Sequence, residues 1–441
     1  MTPHAPLRTP LPGARTVSGT AMPPQDAWFH RQQSSGAACM TVAVLAWFDG
    51  PAPTPAALRD LVRERLQPYE RLRLRAAPTT PPSWPCWIPE AEFDPEHHVG
   101  SELHATTPAA SAGELIARPL DPDRPPWQLH LLPADPADRA GPVGASTGDG
   151  FALLLRAHHA LLDGSSLIAV VRALLDGPTG QPPLCPEFRS RRRSLATRGR
   201  ELAWSVADLL PRARPLPFHG PVGPGRAVAF GRIARDELDA ARLALSPERA
   251  SSNAVFLAAT AGALRTLGLT GRVPQLPGVC AMVPVDVRTA AETSLLGNRY
   301  ATVRVPLPAL RQPQLRLAAV HGLTRREVLK QRAVAQAELV ARQPLRYTPL
   351  GAALGRYVDS PRYFSVLCSS GATYASRLTL GPASFIALAG LPPLGPGHPL
   401  AVTMFHHDAT AVVTTVAGHR HRHLAAPLTE LIHEEIRILG R

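Results

Sequence analysis

The densest chemistry in the chain is the string His158-His159-Ala160-Leu161-Leu162-Asp163-Gly164. It follows Phe151 to Leu155 (FALLL), an apolar run that reads as a buried strand. After it, Leu167, Ile168, Val171, Leu174 and Leu175 fall on one face of an expected helix. His159 therefore sits where a buried strand ends and a loop begins. An imidazole, with an unperturbed pKa of about 6.5, takes up and releases a proton near neutral pH. Asp163 can hold the loop or pair with a buried arginine, and Gly164 permits a tight turn close to another chain element. The plainer reading is a pair of hydrogen-bonded core histidines. A metal site needs further ligands at suitable spacing. His97-His98 and the group His406, His407 and Asp408 do not supply it, so no metal is expected. Ser165 and Ser166 read as caps of the next helix rather than as nucleophiles.

The elements that must position this loop follow from local pattern. Residues 40–48 (MTVAVLAWF) predict a strand closed by Asp49-Gly50. Thr54 before Pro55 predicts a helix start, with Leu58, Leu61, Val62 and Leu66 at helical spacing. Residues 134–150 form a polar loop, and 176–224 mix Pro, Gly and Arg around one expected helix at 199–210. In the second half, 253–267 reads as a helix capped by Ser251 or Ser252, and 279–287 and 299–305 read as strands. Residues 314–341 read as mostly helix, and 427–439 as a closing helix. The alternation indicates an α/β protein of two lobes. The division expected is a disordered leader at 1–20, a first lobe at 21–185, a crossover linker at 186–224 and a second lobe at 225–441.

Composition narrows the function classes. The chain has 441 residues, 45% of them hydrophobic, with 49 Pro and 33 Gly, which fits a loop-rich globular protein. Its net charge is +13, yet the arginines are spread along the chain and Lys330 is the only lysine. The one dense run, Arg189 and Arg191 to Arg193, has no aromatic residues between its arginines, so no nucleic-acid partner is expected. Anionic lipid or an anionic cosubstrate remains compatible with the charge. Cys39, Cys86, Cys185, Cys280 and Cys368 are far apart and odd in number, which suits a reducing compartment better than a disulfide framework. The N-terminus has no apolar signal region, and no apolar run reaches about 18 residues. A cytoplasmic protein, soluble or peripheral at a membrane, is the expectation.

The HHxxxDG string is similar to the active-site motif of the superfamily containing chloramphenicol acetyltransferase and peptide-synthetase condensation domains. The whole chain most resembles a third branch, the bacterial wax ester synthase/diacylglycerol acyltransferases. Residues 22–29 (MPPQDAWF), 118–129 (RPLDPDRPPWQL), 219–230 (HGPVGPGRAVAF), 253–264 and 283–288 (VPVDVR), then Gly297-Asn298-Arg299, match that family's segments in order. Three segments depart from its pattern, one of them Pro125-Pro126-Trp127 in place of a PLW core. Asn253-Ala254 replaces an Asn-Asp pair, and residues 369–373 (SSGAT) replace a TNVPGP stretch.

The resemblance implies two chloramphenicol-acetyltransferase-like lobes of mixed sheet and helix around a central tunnel. It implies His159 as general base, His158 as its neighbour, and Arg288 as the partner of Asp163, against a plain solvent-exposed arginine. Gly164 and Arg288 would support the active-site loop. Asn253, Trp127 and Asn298 are candidates for the cleft lining, against plainer roles as a helix cap for Asn253 and a packing residue for Trp127. No cofactor is implied. The donor would be acyl-CoA as cosubstrate, or an acyl-carrier protein, and the acceptor an alcohol or amine. Peripheral contact with a membrane or lipid droplet would follow from lipid acceptors, with 189–210 as the candidate segment. Ester or amide formation in a specialised pathway, and a non-catalytic relative, are the other readings.

Overall fold

The computed structural model describes residues 19–79, 83–100, 107–133, 150–177, 213–218, 221–270, 278–289, 295–373 and 378–441, with Gly199, Ala203 and Glu292 between them. The polar loop of 134–149, the arginine run at 189–193, Cys185 and nearly all of 199–210 lie outside these residues.

The strand Thr41–Asp49 shows why the fold has layers. Val42, Val44, Ala46 and Phe48 point into one core with Leu58, Val62 and Leu66 of the helix Pro55–Leu66. Leu167, Val170, Val171 and Leu174 of the helix Gly164–Leu174 join the same core. The alternate residues Ala43, Leu45 and Trp47 enter a second core with Val412 and Val416. A strand buried on both faces needs an unbroken apolar run rather than alternation, and Phe151–His158 beside it is buried along its whole length. Thr54 Oγ1 accepts the Ala57 N–H at 3.2 Å and starts the first of those helices.

Two six-stranded mixed sheets result. The first runs Thr379–Leu380, Ala383–Leu391, Thr41–Asp49, Phe151–His158, Trp127–Pro133, Val99–Gly100. The second runs Tyr300–Pro306, Cys280–Asp286, Val366–Thr373, Leu400–His407, Thr410–Gly418, Arg226–Ala234. The helix Ser252–Thr266 is buried all round from Ala254 to Leu264, where it packs against the helix Ala425–Leu439 and the second sheet. Ser251, of the two candidate caps, accepts the Ala254 N–H at 3.1 Å. Between the sheets, Trp47 meets Phe230 edge-on at 5.0 Å.

Several boundaries differ from expectation. The strand Ala383–Leu391 pairs antiparallel with Thr41–Asp49, so residues assigned to the second lobe complete the first sheet. Apolar patterning fixes that a strand is buried but not which sheet receives it. Part of the expected linker is packed: Ala213 and Leu216 are buried, and the Ala213 N–H donates to Arg362 O at 2.6 Å. Thr20–Ala21, at the edge of the expected leader, pairs with Cys86–Pro89. The long helix of 314–341 is two helices, Pro313–Leu323 and Arg326–Ala341, separated at Thr324-Arg325.

Candidate active site

His158 ends its strand with a buried side chain. The Ala160 N–H donates to its Nδ1 at 2.9 Å, which leaves the ring proton on Nε2. Burial, with His30 and His159 nearby, lowers its pKa to about 3. A proton on Nδ1 would oppose the Ala160 N–H, so the ring works as a neutral acceptor inside the turn.

His159 is held by its backbone. Its N–H donates to Met40 O at 2.7 Å, and its carbonyl accepts from Asn298 Nδ2 at 2.7 Å. The imidazole stacks on Phe29 with centroids 4.2 Å apart and planes 9° apart. The Tyr300 ring lies 5.7 Å away at 24°, and its hydroxyl is 3.4 Å from His159 Nε2. Burial lowers the His159 pKa, and the pull of its own carbonyl and of Asp163 does not reverse the shift. The ring is therefore neutral at pH 7, the state a base requires.

Asp163 fixes the loop that follows. Its Oδ1 accepts the Ser166 N–H at 2.8 Å and caps the helix Gly164–Leu174. Arg288 grips the same carboxylate with Nη1 at 3.0 Å from Oδ2 and Nη2 at 3.1 Å from Oδ1. The Arg299 N–H adds a fourth donor at 2.9 Å. Burial works to raise the Asp163 pKa, but Arg288 and these donors outweigh it and hold the carboxyl below its ordinary value. Arg288 is buried rather than solvent-exposed, and its carbonyl accepts from Lys330 Nζ at 2.8 Å.

A second clamp was not foreseen from sequence. Asp26, on the helix Pro24–Ser34, is buried and pairs with Arg71 at 2.6 Å. It also accepts from Trp87 Nε1 at 3.1 Å and Asn298 Nδ2 at 2.9 Å. Arg71 in turn donates to Leu161 O at 2.9 Å and Ala160 O at 2.8 Å. The helix carrying Asp26 also carries Phe29, so one element clamps the loop and stacks on the base. Asp26 and Phe29 lie within the MPPQDAWF segment that carries the resemblance; Arg71 had no local signal.

Two expected roles change, and for Trp127 the plainer packing role holds. Trp127 is not a cleft residue: it is fully buried, stacked on His98 at 3.9 Å, and donates from Nε1 to Leu72 O at 2.8 Å. Gly164 makes no close turn. It opens a regular helix, and a side chain there would meet nothing within 4 Å, so open space lies beside it. Asn298 spends its amide on the loop carbonyls and Asp26, a bracing role rather than a lining one. Asn253 sits just past the cap residue Ser251, and its Oδ1 accepts from Ser370 Oγ at 2.9 Å. Two of the segments that depart from the family pattern thus touch each other. Among the described residues no His, Cys, Asp and Glu group is arranged to hold a metal ion.

Known proteins share this architecture. The starter condensation domain of rhizomide synthetase, in a variant solved with C8-CoA, superposes with a TM-score of 0.62 at 16% identity, over 96% of this chain and 95% of its own. The wax ester synthase/diacylglycerol acyltransferase of Marinobacter aquaeolei VT8 gives a TM-score of 0.66 at 20% identity, over 95% of this chain and 98% of its own. At such identities the likeness is one of fold. In sequence, a Mycobacterium tuberculosis protein named "Putative diacyglycerol O-acyltransferase" is 28% identical over 315 residues, 60% of this chain. The chain spans 58% of that relative's length. A second protein of that name from the same species is 30% identical over 324 residues, 64% of this chain and 68% of its own. The model of the wax ester synthase/diacylglycerol acyltransferase catalytic domain matches residues 22–342. The chain belongs to the wax ester synthase/diacylglycerol acyltransferase catalytic-domain family.

Proposed function

We propose that this protein transfers a fatty acyl group from acyl-CoA to an alcohol acceptor, a long-chain alcohol or diacylglycerol, with His159 as general base. The observation that carries the reading is a neutral His159 at the end of a buried strand, its loop braced by two buried arginine–carboxylate pairs. Nε2 takes the proton of the acceptor hydroxyl as its oxygen attacks the thioester carbonyl. The tetrahedral intermediate collapses with loss of the thiolate, which leaves with the proton from Nε2. No acyl-enzyme is needed, and such a base contributes on the order of 10²–10⁴-fold. His158 and Asp163 support this role from within the turn.

A second reading keeps the chemistry and changes the acceptor. The contact between Asn253 and Ser370 joins two of the departures from the family pattern, which favours a specialised alcohol or amine acceptor and a CoA or carrier-protein donor. For lipid acceptors, the surface offers support. Leu345 is 52% and Leu350 81% exposed, among the exposed Arg342, Arg346 and Arg356. Basic side chains beside exposed leucines suit peripheral contact with an anionic lipid surface. No helix among the described residues is long and apolar enough to cross a membrane.

Release of CoA from palmitoyl-CoA, measured with hexadecanol, dioleoylglycerol and octylamine in parallel, tests the proposal. Turnover with hexadecanol or dioleoylglycerol is the expected result. Turnover with octylamine alone transfers support to the second reading, and no turnover with hexadecanol or dioleoylglycerol contradicts the first. Cosedimentation with anionic vesicles at low salt, lost at high salt, tests the lipid contact.

A further inference from the structure

We propose that Tyr300 supplies the hydroxyl donor that meets the oxyanion formed at the thioester carbonyl. The inference rests on His159 being the base and names a group which that reading leaves open.

The geometry starts at Nε2, the atom that must receive the acceptor's proton. Tyr300 is the first residue of the strand Tyr300–Pro306, and its hydroxyl lies 3.4 Å from that nitrogen. Its ring runs nearly parallel to the imidazole. The preceding residues Gly297, Asn298 and Arg299 are latched to the loop through Ser166, the His159 carbonyl and Asp163. Tyr300 therefore keeps its place against His159 by the same contacts that keep the loop in place. A donor fixed before the reaction costs no reorganisation when charge develops.

The phenol also stays a donor. Burial raises its pKa above the ordinary value, and the charges of Asp163, Asp359 and Asp26 push the same way against a lowering hydrogen bond from Gln25. Proton abstraction thus falls to His159 and hydrogen-bond donation to Tyr300. With the ring proton on Nδ1, the state a base at Nε2 requires, the hydroxyl donates to Nε2 before substrate binds. An acceptor hydroxyl arriving at Nε2 takes that position and frees the phenol. As the acceptor oxygen bonds to the carbonyl carbon, its proton passes to Nε2 and the carbonyl π pair moves onto oxygen. The two oxygens on one tetrahedral carbon are closer together than two hydrogen-bonded atoms. A group beside Nε2 therefore reaches the oxyanion when the carbonyl oxygen points to its side of the imidazole. Tyr300 donates to it without losing its proton. The pair then returns, the C–S bond breaks, and the thiolate leaves with the proton held on Nε2.

The test compares Tyr300→Phe, His159→Ala and a full-length chain carrying 3-fluorotyrosine at position 300. Each is assayed with palmitoyl-CoA and whichever of the three acceptors turns over. Loss of one oxyanion donor lowers kcat on the order of 10²–10³-fold. Tyr300→Phe is expected to show that loss with KM within about threefold, and the more acidic fluorinated phenol to raise kcat above that of the parent. Tyr300→Phe that leaves kcat within about twofold, raises it, or raises KM alone overturns the proposal. If the Phe variant loses its thermal transition, the fluorinated protein decides: kcat at or below the parent value overturns the inference. A silent His159→Ala with an unaffected Tyr300→Phe rejects Tyr300 only, whereas an active His159→Ala rejects the base.

Discussion

Arg288 holds Asp163 with both terminal nitrogens, and the two side chains are each 3% exposed, although 125 residues separate them. Removal of one partner leaves a buried charge uncompensated, which typically costs about 3–5 kcal/mol. Asp163→Ala and Arg288→Ala should each lower stability by about that amount and reduce activity with it. A double-mutant cycle, read by denaturant unfolding, should return strong coupling. Additive losses would remove the pair as the brace of the loop.

Asp26 and Arg71 make the second brace, from the opposite part of the chain. Asp26→Ala strips partners from Arg71, Trp87 and Asn298 together. Its effect on activity should match that of Asp163→Ala, although Asp26 lies in the first described helix. Comparison of kcat/KM for the two variants checks this. Full activity in Asp26→Ala would show that the loop needs only the Arg288 side.

Acid should unfold the protein early. Burial lowers the pKa of His158 and His130 to about 3, and that of His98 and His398 to about 4. Unfolded imidazoles bind protons below about pH 6.5 while these four do not. The unfolded chain then holds more protons, so stability is complete above about pH 6.5 and falls as pH drops toward 4. Each group adds roughly 1.4 kcal/mol per pH unit in that window. Thermal unfolding from pH 7.5 to 4.5 should show a steep decline, and a flat profile would contradict burial of these rings.

The junction of the sheets has a steric prediction. A Cβ at Gly390, on the strand that crosses to the first sheet, would lie 2.3 Å from Phe405 Cε2, and one at Gly371 2.5 Å from Phe405 Cε1. Phe405 is buried, so its ring has little room to retreat. Overpacking of this kind costs about 1–3 kcal/mol. Gly390→Ala should therefore lower the unfolding midpoint, and restoration by Phe405→Leu in the double variant would identify the clash as the cause.

The parts of this molecule legible in the sequence are those that depend on near neighbours. The strand ending at His158, the helix capped by Thr54, and the loop with its aspartate follow from periodicity and turn chemistry. The contact of Asp163 with Arg288 followed from the resemblance, because both residues lie in matched segments. Arg71 sits among Arg73 and Arg75 with nothing local to set it apart, and only the folded chain shows that it alone is buried. Tyr300 looked like any strand residue, since its meaning comes from an imidazole brought to it across the fold. The crossing of Ala383–Leu391 was hidden for a related reason: an apolar strand reports its burial and not its neighbour.

The claim that His159 is the proton acceptor is tested most directly by its alanine variant. His159→Ala and His158→Ala are compared with the parent for CoA release from palmitoyl-CoA in the presence of acceptor, with unfolding recorded on the same samples. The account predicts loss of at least about 10²–10⁴-fold in His159→Ala with an unchanged unfolding midpoint, and a smaller loss in His158→Ala. In the parent, the rate should rise with pH through a midpoint below 6.5, because burial lowers the His159 pKa and only the neutral ring accepts a proton. Retained turnover in His159→Ala, or equal losses in the two variants with unchanged unfolding, would contradict it.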